Sequence, residues 1–263
     1  LLAPFTQALR SGEALAKARL DQLLVARGLA PTRARAQAII MAGEVRVEGT
    51  RVDKAGALVP DDALIDVRSA DHPFVSRGGV KLAGALDDFR VDPTGKLCLD
   101  LGASTGGFTD CLLQRGARRV VAVDVGYGQL AQKLRDDPRV VVMERTNARA
   151  LEPAALDRPV DLTVVDASFI GIAKLMPAIA RCTADGGELV GLIKPQFEVG
   201  REEASRGRGV VRDEHVRASA VASALACVAS AGFVVLGQGD SVLAGPKGNR
   251  EVFVYARRGP SAI

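Results

Sequence analysis

The stretch Leu97-Cys98-Leu99-Asp100-Leu101-Gly102-Ala103-Ser104-Thr105-Gly106-Gly107-Phe108 decides the fold. A short apolar run enters a glycine-rich turn, and helical spacing follows. Strand, turn, helix is the opening of a βαβ unit. Glycines at 102, 106 and 107 would let the backbone approach a ligand with no Cβ in the way. The next apolar run, Val120-Val121-Ala122-Val123, ends at Asp124. A carboxylate there can accept two hydrogen bonds from ribose hydroxyls.

The alternation continues downstream. Strands are expected near 97–101, 119–124, 140–143, 160–166, 187–193, 233–239 and 251–256, with helices between most of them. That order predicts a doubly wound, Rossmann-like α/β sheet. Residues 218–236 carry no charge over 19 positions, but Ser219, Ser223, Ser230 and Gly232 interrupt them. They read as a helix followed by a buried strand, not as a membrane span.

Composition sets the outer limits. The chain has 263 residues, enough for a medium domain with a small companion. Leu1 to Leu9 lack the long apolar core of a signal peptide, so the expected location is the cytoplasm. Cys98, Cys111, Cys182 and Cys227 have no zinc-knuckle or Cys-x-x-Cys spacing. They read as buried small apolar residues in a reducing compartment, with no metal expected. His72 and His215 stand in no motif and read as surface residues. Net charge is +4. Residues 1–60 hold nine Lys/Arg against five Asp/Glu, a surplus as large as the whole chain's. A polyanionic partner is therefore expected on the N-terminal side.

Residues 19–68 form a small unit of their own. Leu20, Leu23 and Leu24 share one face of a short helix that Gly28 ends. Thr32 stands as N-cap of a second helix, with Ala36, Ile39 and Ile40 facing inward and Gly43 ending it. Glu44-Val45-Arg46-Val47-Glu48-Gly49 alternates as a strand running into a turn, and Val52, Leu58, Leu64, Ile65 and Val67 suggest further short strands. Residues 69–95 form the linker into the large domain of 96–258, with Ser69-Ala70-Asp71-His72-Pro73 hinge-like.

The small unit resembles the RNA-binding domain of ribosomal small-subunit protein four. The resemblance rests on Arg19-Leu20-Asp21, on Thr32-Arg33-Ala34-Arg35-Ala36-Gln37 and on Gly43-Glu44-Val45-Arg46-Val47-Glu48-Gly49. It implies an α+β domain in which Arg33 and Arg35 meet phosphates at a helix start, where guanidinium and helix terminus both favour an anion. Arg19 and Arg46 complete the expected RNA-binding set.

The glycine turn runs G-x-x-x-G-G rather than G-x-G-x-x-G, and resembles the first motif of S-adenosylmethionine-dependent methyltransferases. Residues 97–256 are similar to the FtsJ-like ribose methyltransferases, and the full chain resembles the TlyA, or haemolysin A, family of ribosomal RNA 2′-O-methyltransferases. The matching runs are Ser76-Arg77-Gly78-Gly79-Val80-Lys81-Leu82, Asp100 to Thr109, Asp124-Val125-Gly126-Tyr127-Gly128-Gln129-Leu130, Glu144 to Arg149, and Lys194-Pro195-Gln196-Phe197-Glu198. The resemblance implies a catalytic tetrad of Lys81, Asp166, Lys194 and Glu251. It implies S-adenosylmethionine as cofactor, held at Gly102, Ser104, Gly106, Gly107, Phe108, Asp124, Asn147 and Asp166. Asn147 departs from the acid that FtsJ proteins place near the adenine; an amide can still bond the base.

The expected reaction is in-line displacement by a 2′-hydroxyl, with Lys194 removing the hydroxyl proton. That needs a neutral lysine: burial and Lys81 favour it, Asp166 and Glu251 oppose it. If the carboxylates win, Lys194 orients the hydroxyl instead. Ribosomal RNA or a ribosomal subunit is the expected partner, without a membrane. Arg201, Arg206, Arg208 and Arg212 could line the RNA path. Three other functions compete. A base-directed enzyme would carry an Asp/Asn-Pro-Pro-aromatic motif, of which Asp166-Ala167-Ser168-Phe169 keeps only the ends; Phe169 could stack a base or fill the core. A non-enzymatic RNA-binding protein would not need the glycine turn, and a pore-forming haemolysin would need a spanning segment.

Overall fold

A computed structural model describes residues 17–67, 72–199, 210–245 and 248–260. The small domain begins with β1 (Lys17–Arg19), which runs straight into α1 (Leu20–Ala26); α2 (Arg33–Met41) follows. Thr32 does cap α2, its hydroxyl accepting from the Arg35 amide at 3.1 Å. Beyond it lie β2 (Val45–Val47), β3 (Thr50–Arg51), β4 (Leu58–Pro60) and β5 (Ile65–Val67). β2 stands between β3 and β5, and β1 pairs with β4, all antiparallel. Leu20, Leu24, Ala36, Ile40 and Val45 fill a separate core, as the apolar spacing predicts.

Within the region read as linker, Arg77–Phe89 forms a three-turn helix, α3. It buries Leu82, Ala85 and Leu86 in the core of the large domain, and Arg90 ends it in the left-handed region. Residues 69–71 of the hinge-like run lie outside the described residues. His72 is not a plain surface residue: it is half-buried, and both ring nitrogens are buried without a partner.

The large domain is one seven-stranded sheet. Its strands are β6 (Leu97–Leu101), β7 (Arg119–Val123), β8 (Val140–Met143), β9 (Val160–Val165), β10 (Thr183–Ile193), β11 (Phe233–Asp240) and β12 (Val252–Arg258). Their order in space is β8-β7-β6-β9-β10-β12-β11. The first five in sequence are parallel, and β12 is antiparallel to both of its neighbours. Helices α4 (Gly107–Gln114), α5 (Gln132–Arg135), α6 (Met176–Cys182), α7 (Pro195–Glu198) and α8 (Glu214–Ser230) connect them. Two apolar layers, one per sheet face, make the core of Val, Leu, Ile and Ala that a chain without tryptophan must use.

The topology places the site. After β6 the chain moves outward through β7 and β8, then returns to the other side of β6 with β9. That reversal opens a crevice beyond the carboxyl ends of β6 and β9, where ligands of such sheets bind. β12 runs the other way, so its first residues reach the same edge. One expectation needs correcting: the strand after Gly232 is not buried. β11 is an edge strand, paired only with β12, and Val234 and Leu236 on its outer face are 60% and 50% exposed. No helix among the described residues is long and apolar enough to cross a membrane.

Candidate active site

Four side chains from distant parts of the chain meet at this edge. Lys81 comes from the second turn of α3, Asp166 and Lys194 follow β9 and β10 directly, and Glu251 precedes β12. Lys81 Nζ donates to Glu251 Oε2 at 2.6 Å. Lys194 Nζ lies 2.6 Å from Asp166 Oδ1 and donates to Ser168 Oγ at 3.1 Å. Both lysines and Glu251 are buried. Burial alone would push the Asp166 carboxyl up; the Lys194 and Lys81 ammoniums more than offset it and hold it below the usual carboxylate range. Both lysines act on one carboxylate, so the two ion pairs form a single charged cluster.

The glycine turn lies against this cluster. A Cβ on Gly102, at φ +89°, would come within 2.8 Å of the Asp166 carbonyl oxygen. Gly106, at φ +94°, is the left-handed N-cap of α4 and packs on Leu130 and Leu134. Gly107 packs on Ser76 and the start of α3. A Cβ at these positions would therefore meet protein as well as any ligand: the glycines let the turn sit tightly between β9, α3 and α5, which adds to the sequence reading.

Asp124 is oriented by two backbone amides, Ser104 N to Oδ2 at 2.8 Å and Gly126 N to Oδ1 at 2.7 Å. Each oxygen keeps a second lone pair for a ribose hydroxyl. Val125 and Tyr127 beyond it are exposed, with the Arg145 guanidinium 4.1 Å from the Tyr127 ring centre. Asn147 accepts from the Arg149 amide through Oδ1 at 3.1 Å, which leaves its amide N–H groups available to a base. The Phe108 ring is buried and stacks on Phe253 with centres 6.2 Å apart, so its backbone is the part that can face a cofactor. Asp100, fully buried, accepts from Thr109 Oγ1 at 2.7 Å, while its Oδ1 is buried without a partner. This donor and acceptor set fits a nucleoside with a charged tail: a carboxylate for the diol, an amide for the base, and an orphaned carboxylate oxygen on the cluster side.

The expected RNA-binding arginines are placed unequally. Arg19 and Arg33 both grip the buried Asp21, at 3.0 and 2.9 Å through their Nε atoms, and about half of each side chain is exposed. Arg46 donates to the Gly49 carbonyl at 2.9 Å. Arg35 is half-buried beside Glu44, and its Nη1 is buried without a partner. Arg212 is exposed; Arg201, Arg206 and Arg208 lie outside the described residues.

Sequence reasoning missed Ser168, Thr109 and Arg217. Arg217 is buried and bonds Glu214, Asp240 and the Arg250 carbonyl, fixing the backbone just before Glu251. An arginine immediately before the uncharged run of 218–236 was the available signal. Phe169, which could have filled the core, is 85% exposed at φ +69°, a conformation rare for a bulky residue.

Comparison with known proteins identifies the architecture. Residues 74–258 match the FtsJ-like methyltransferase model and residues 18–65 the S4 domain. The chain belongs to the FtsJ-like methyltransferase family. Within that family it is 49% identical to the 16S/23S rRNA (cytidine-2′-O)-methyltransferase TlyA of Mycobacterium tuberculosis, over 92% of this chain and 90% of that one. Hemolysin A of Brachyspira hyodysenteriae is 40% identical over 90% of this chain and 98% of its own. A solved structure from Streptococcus thermophilus that carries the hemolysin name superimposes with a TM-score of 0.73 at 39% identity, covering 94% of this chain and 90% of that one. The family resemblance, the α/β methyltransferase sheet and the S4 domain expected from the sequence are all borne out.

Proposed function

We propose that this chain transfers a methyl group from S-adenosylmethionine to a ribose 2′-hydroxyl of ribosomal RNA, with cytidine, the nucleoside named for its TlyA relatives, as the target. The observation that carries the reading is the pairing of Lys194 with Asp166 and of Lys81 with Glu251, both at 2.6 Å, beside the glycine turn. A binding protein has no use for two buried lysine–carboxylate pairs at the crevice, because burying charge costs stability that an apolar edge would not. Strained or buried charge is tolerated at sites of chemistry.

The division of labour follows from the geometry. Asp124 would take the ribose of the cofactor, Asn147 its base, and the backbone of Gly102, Ser104, Gly106, Gly107 and Phe108 the remainder, with Asp166 on the reacting side. S-adenosylmethionine supplies an electrophilic methyl group. Lys194 Nζ, 2.6 Å from the Asp166 carboxylate and beside Ser168 Oγ, is placed to donate to the 2′-oxygen. It therefore orients the 2′-oxygen rather than taking its proton, and the proton departs to solvent after transfer. Lys81 and Glu251 hold the second wall of the site. Exposed Phe169 offers a ring to the target base once that nucleotide has left its stack. Arg19, Arg33, Arg35 and Arg46 of the S4 domain add phosphate contacts that position without specifying sequence. A ribosomal subunit, in the cytoplasm, is the substrate.

The test is nucleoside mass spectrometry of ribosomal RNA incubated with the protein and isotopically labelled cofactor. Labelled 2′-O-methylcytidine is expected. A methyl on a base would replace the reading with base-directed transfer. No labelled RNA, together with no calorimetric binding of S-adenosylmethionine, would leave only an RNA-binding protein.

A further inference from the structure

Two segments that bound the crevice are fastened to each other along their length. One is the loop from Asp166 to Ile172 that follows β9. The other is Lys194–Glu198, the single turn that follows β10. At one end, Lys194 pairs with Asp166 and donates to Ser168. In the middle, the rings of Phe169 and Phe197 lie 5.7 Å apart, tilted by 45°. At the far end, Glu198 Oε1 accepts from the Ile172 amide at 2.7 Å. Gly171 lets that carboxylate close in: a Cβ there would collide with Glu198 and stand 3.1 Å from the Phe197 carbonyl oxygen.

The spacing has a physical reason. Lys194 is the N-cap and Glu198 the last residue of α7, one helical turn apart, so their side chains can reach the same neighbouring strand of chain. Pro195 at the first helical position stiffens that turn. The loop it grips is not stable by itself. Phe169 is held at φ +69° with its ring in solvent, a conformation that persists only when surrounding contacts over-determine it. Glu198 supplies the fixed point on the far side of Phe169, as Lys194 does on the near side. Burial pushes the Glu198 carboxyl up, and the Ile172 amide and then Lys174 only partly offset this, so the group is kept at this place at some electrostatic cost.

We propose that Glu198 is a positioning residue for the RNA substrate: by holding the Ile172 amide it sets the height of Phe169 and Ser168 above the Lys194–Asp166 pair. The proposal rests on the ribose-methyltransferase reading of the same site. Glu198 touches neither cofactor nor reacting atoms. Its loss should act on the RNA side of the reaction and spare the cofactor side.

The experiment uses the full chain in three forms, unsubstituted, Glu198→Ala and Glu198→Gln, with ribosomal RNA and S-adenosylmethionine. Glu198→Ala should lower kcat/KM for RNA by about tenfold or more, the effect of losing one buried bond to a carboxylate. Its Kd for S-adenosylmethionine should change by less than about twofold. Glu198→Gln keeps an acceptor for the Ile172 amide and should recover most of the loss. A second readout is independent of activity. The chain has no tryptophan, so Phe169→Trp places a single indole on the loop. Its fluorescence anisotropy should fall when Glu198→Ala is added and return with Glu198→Gln. Unchanged anisotropy and an unchanged RNA KM in Glu198→Ala would overturn the proposal. A parallel loss of cofactor affinity would overturn it too, by making Glu198 a general support of the fold. An unsubstituted protein that methylates no RNA would fail the functional reading instead, with the anisotropy still deciding what Glu198 does.

Discussion

Lys81 and Glu251, 170 residues apart in the chain, meet at 2.6 Å with Glu251 fully buried. The second carboxylate oxygen of Glu251 is buried without a partner, and Gly245 packs against it. Removing the lysine would leave this carboxylate uncompensated. Lys81→Met should therefore destabilise the protein by about 3–5 kcal/mol, as broken buried pairs do. Methyl transfer should fall by about 10²–10³-fold. Denaturant unfolding and single-turnover methylation measure the two losses. In Lys81→Met/Glu251→Leu the stability should largely return and the activity should not.

The Lys194 contact with Asp166 makes a claim about pH. Burial would raise Asp166, but the Lys194 and Lys81 ammoniums hold it below the usual carboxylate range, so it faces Lys194 as a carboxylate at neutral pH. If Lys194 orients the hydroxyl as an ammonium, the single-turnover rate should be flat between about pH 6.5 and 9.5. A rate that climbs tenfold per pH unit over that range would show a titrating base and return the proton-removing role to Lys194.

The fold was legible because the glycine turn and Asp124 are local signals: one strand, one turn and one acid at the next strand end. The tetrad was legible only through the family resemblance. Nothing local says that Lys81, in the second turn of α3, reaches Glu251 before the last strand; that contact exists because β12 runs antiparallel to the rest of the sheet. The direction of the Phe108 ring is hidden for a related reason. Its motif position faces the cofactor loop, but the side chain of a helix's first turn can point into the core, and here it does. Likewise, an apolar run at a sheet edge looks like one at the centre, so the sequence of β11 reads as a buried strand. The role of Glu198 is invisible in the run Lys194–Glu198, because its partner is a backbone amide that no sequence pattern marks.

Asp100 gives a pH dependence of stability with a definite sign. Burial pushes its carboxyl up to about 7, with Thr109 opposing, against an ordinary value of 3.8. Between these two values the folded protein holds a proton that the unfolded chain has lost. Stability from this group is thus present at low pH and is lost as pH rises toward 7. Asp100→Asn keeps the acceptor for Thr109 Oγ1 and mimics the protonated acid. Without cofactor, its Tm should match that of the unsubstituted protein near pH 4.5 and exceed it at pH 8. An equal difference at both pH values would show that Asp100 does not titrate between them.

The arginines of the S4 domain should differ in salt dependence. Arg33 holds Asp21 with about half its side chain exposed, so its guanidinium can still face a phosphate. Arg35 is half-buried beside Glu44, and burial pulls its guanidinium down from the ordinary arginine value. Each phosphate contact contributes about 0.9, or about 0.7 on single strands, to the slope of log affinity against log salt. Arg33→Ala should then reduce that slope by close to one contact's worth, and Arg35→Ala by clearly less. Filter binding of ribosomal RNA between about 50 and 200 mM salt resolves such a difference. Equal reductions would mean that Arg35 turns out of its buried place to meet the RNA, which requires Glu44 to give it up.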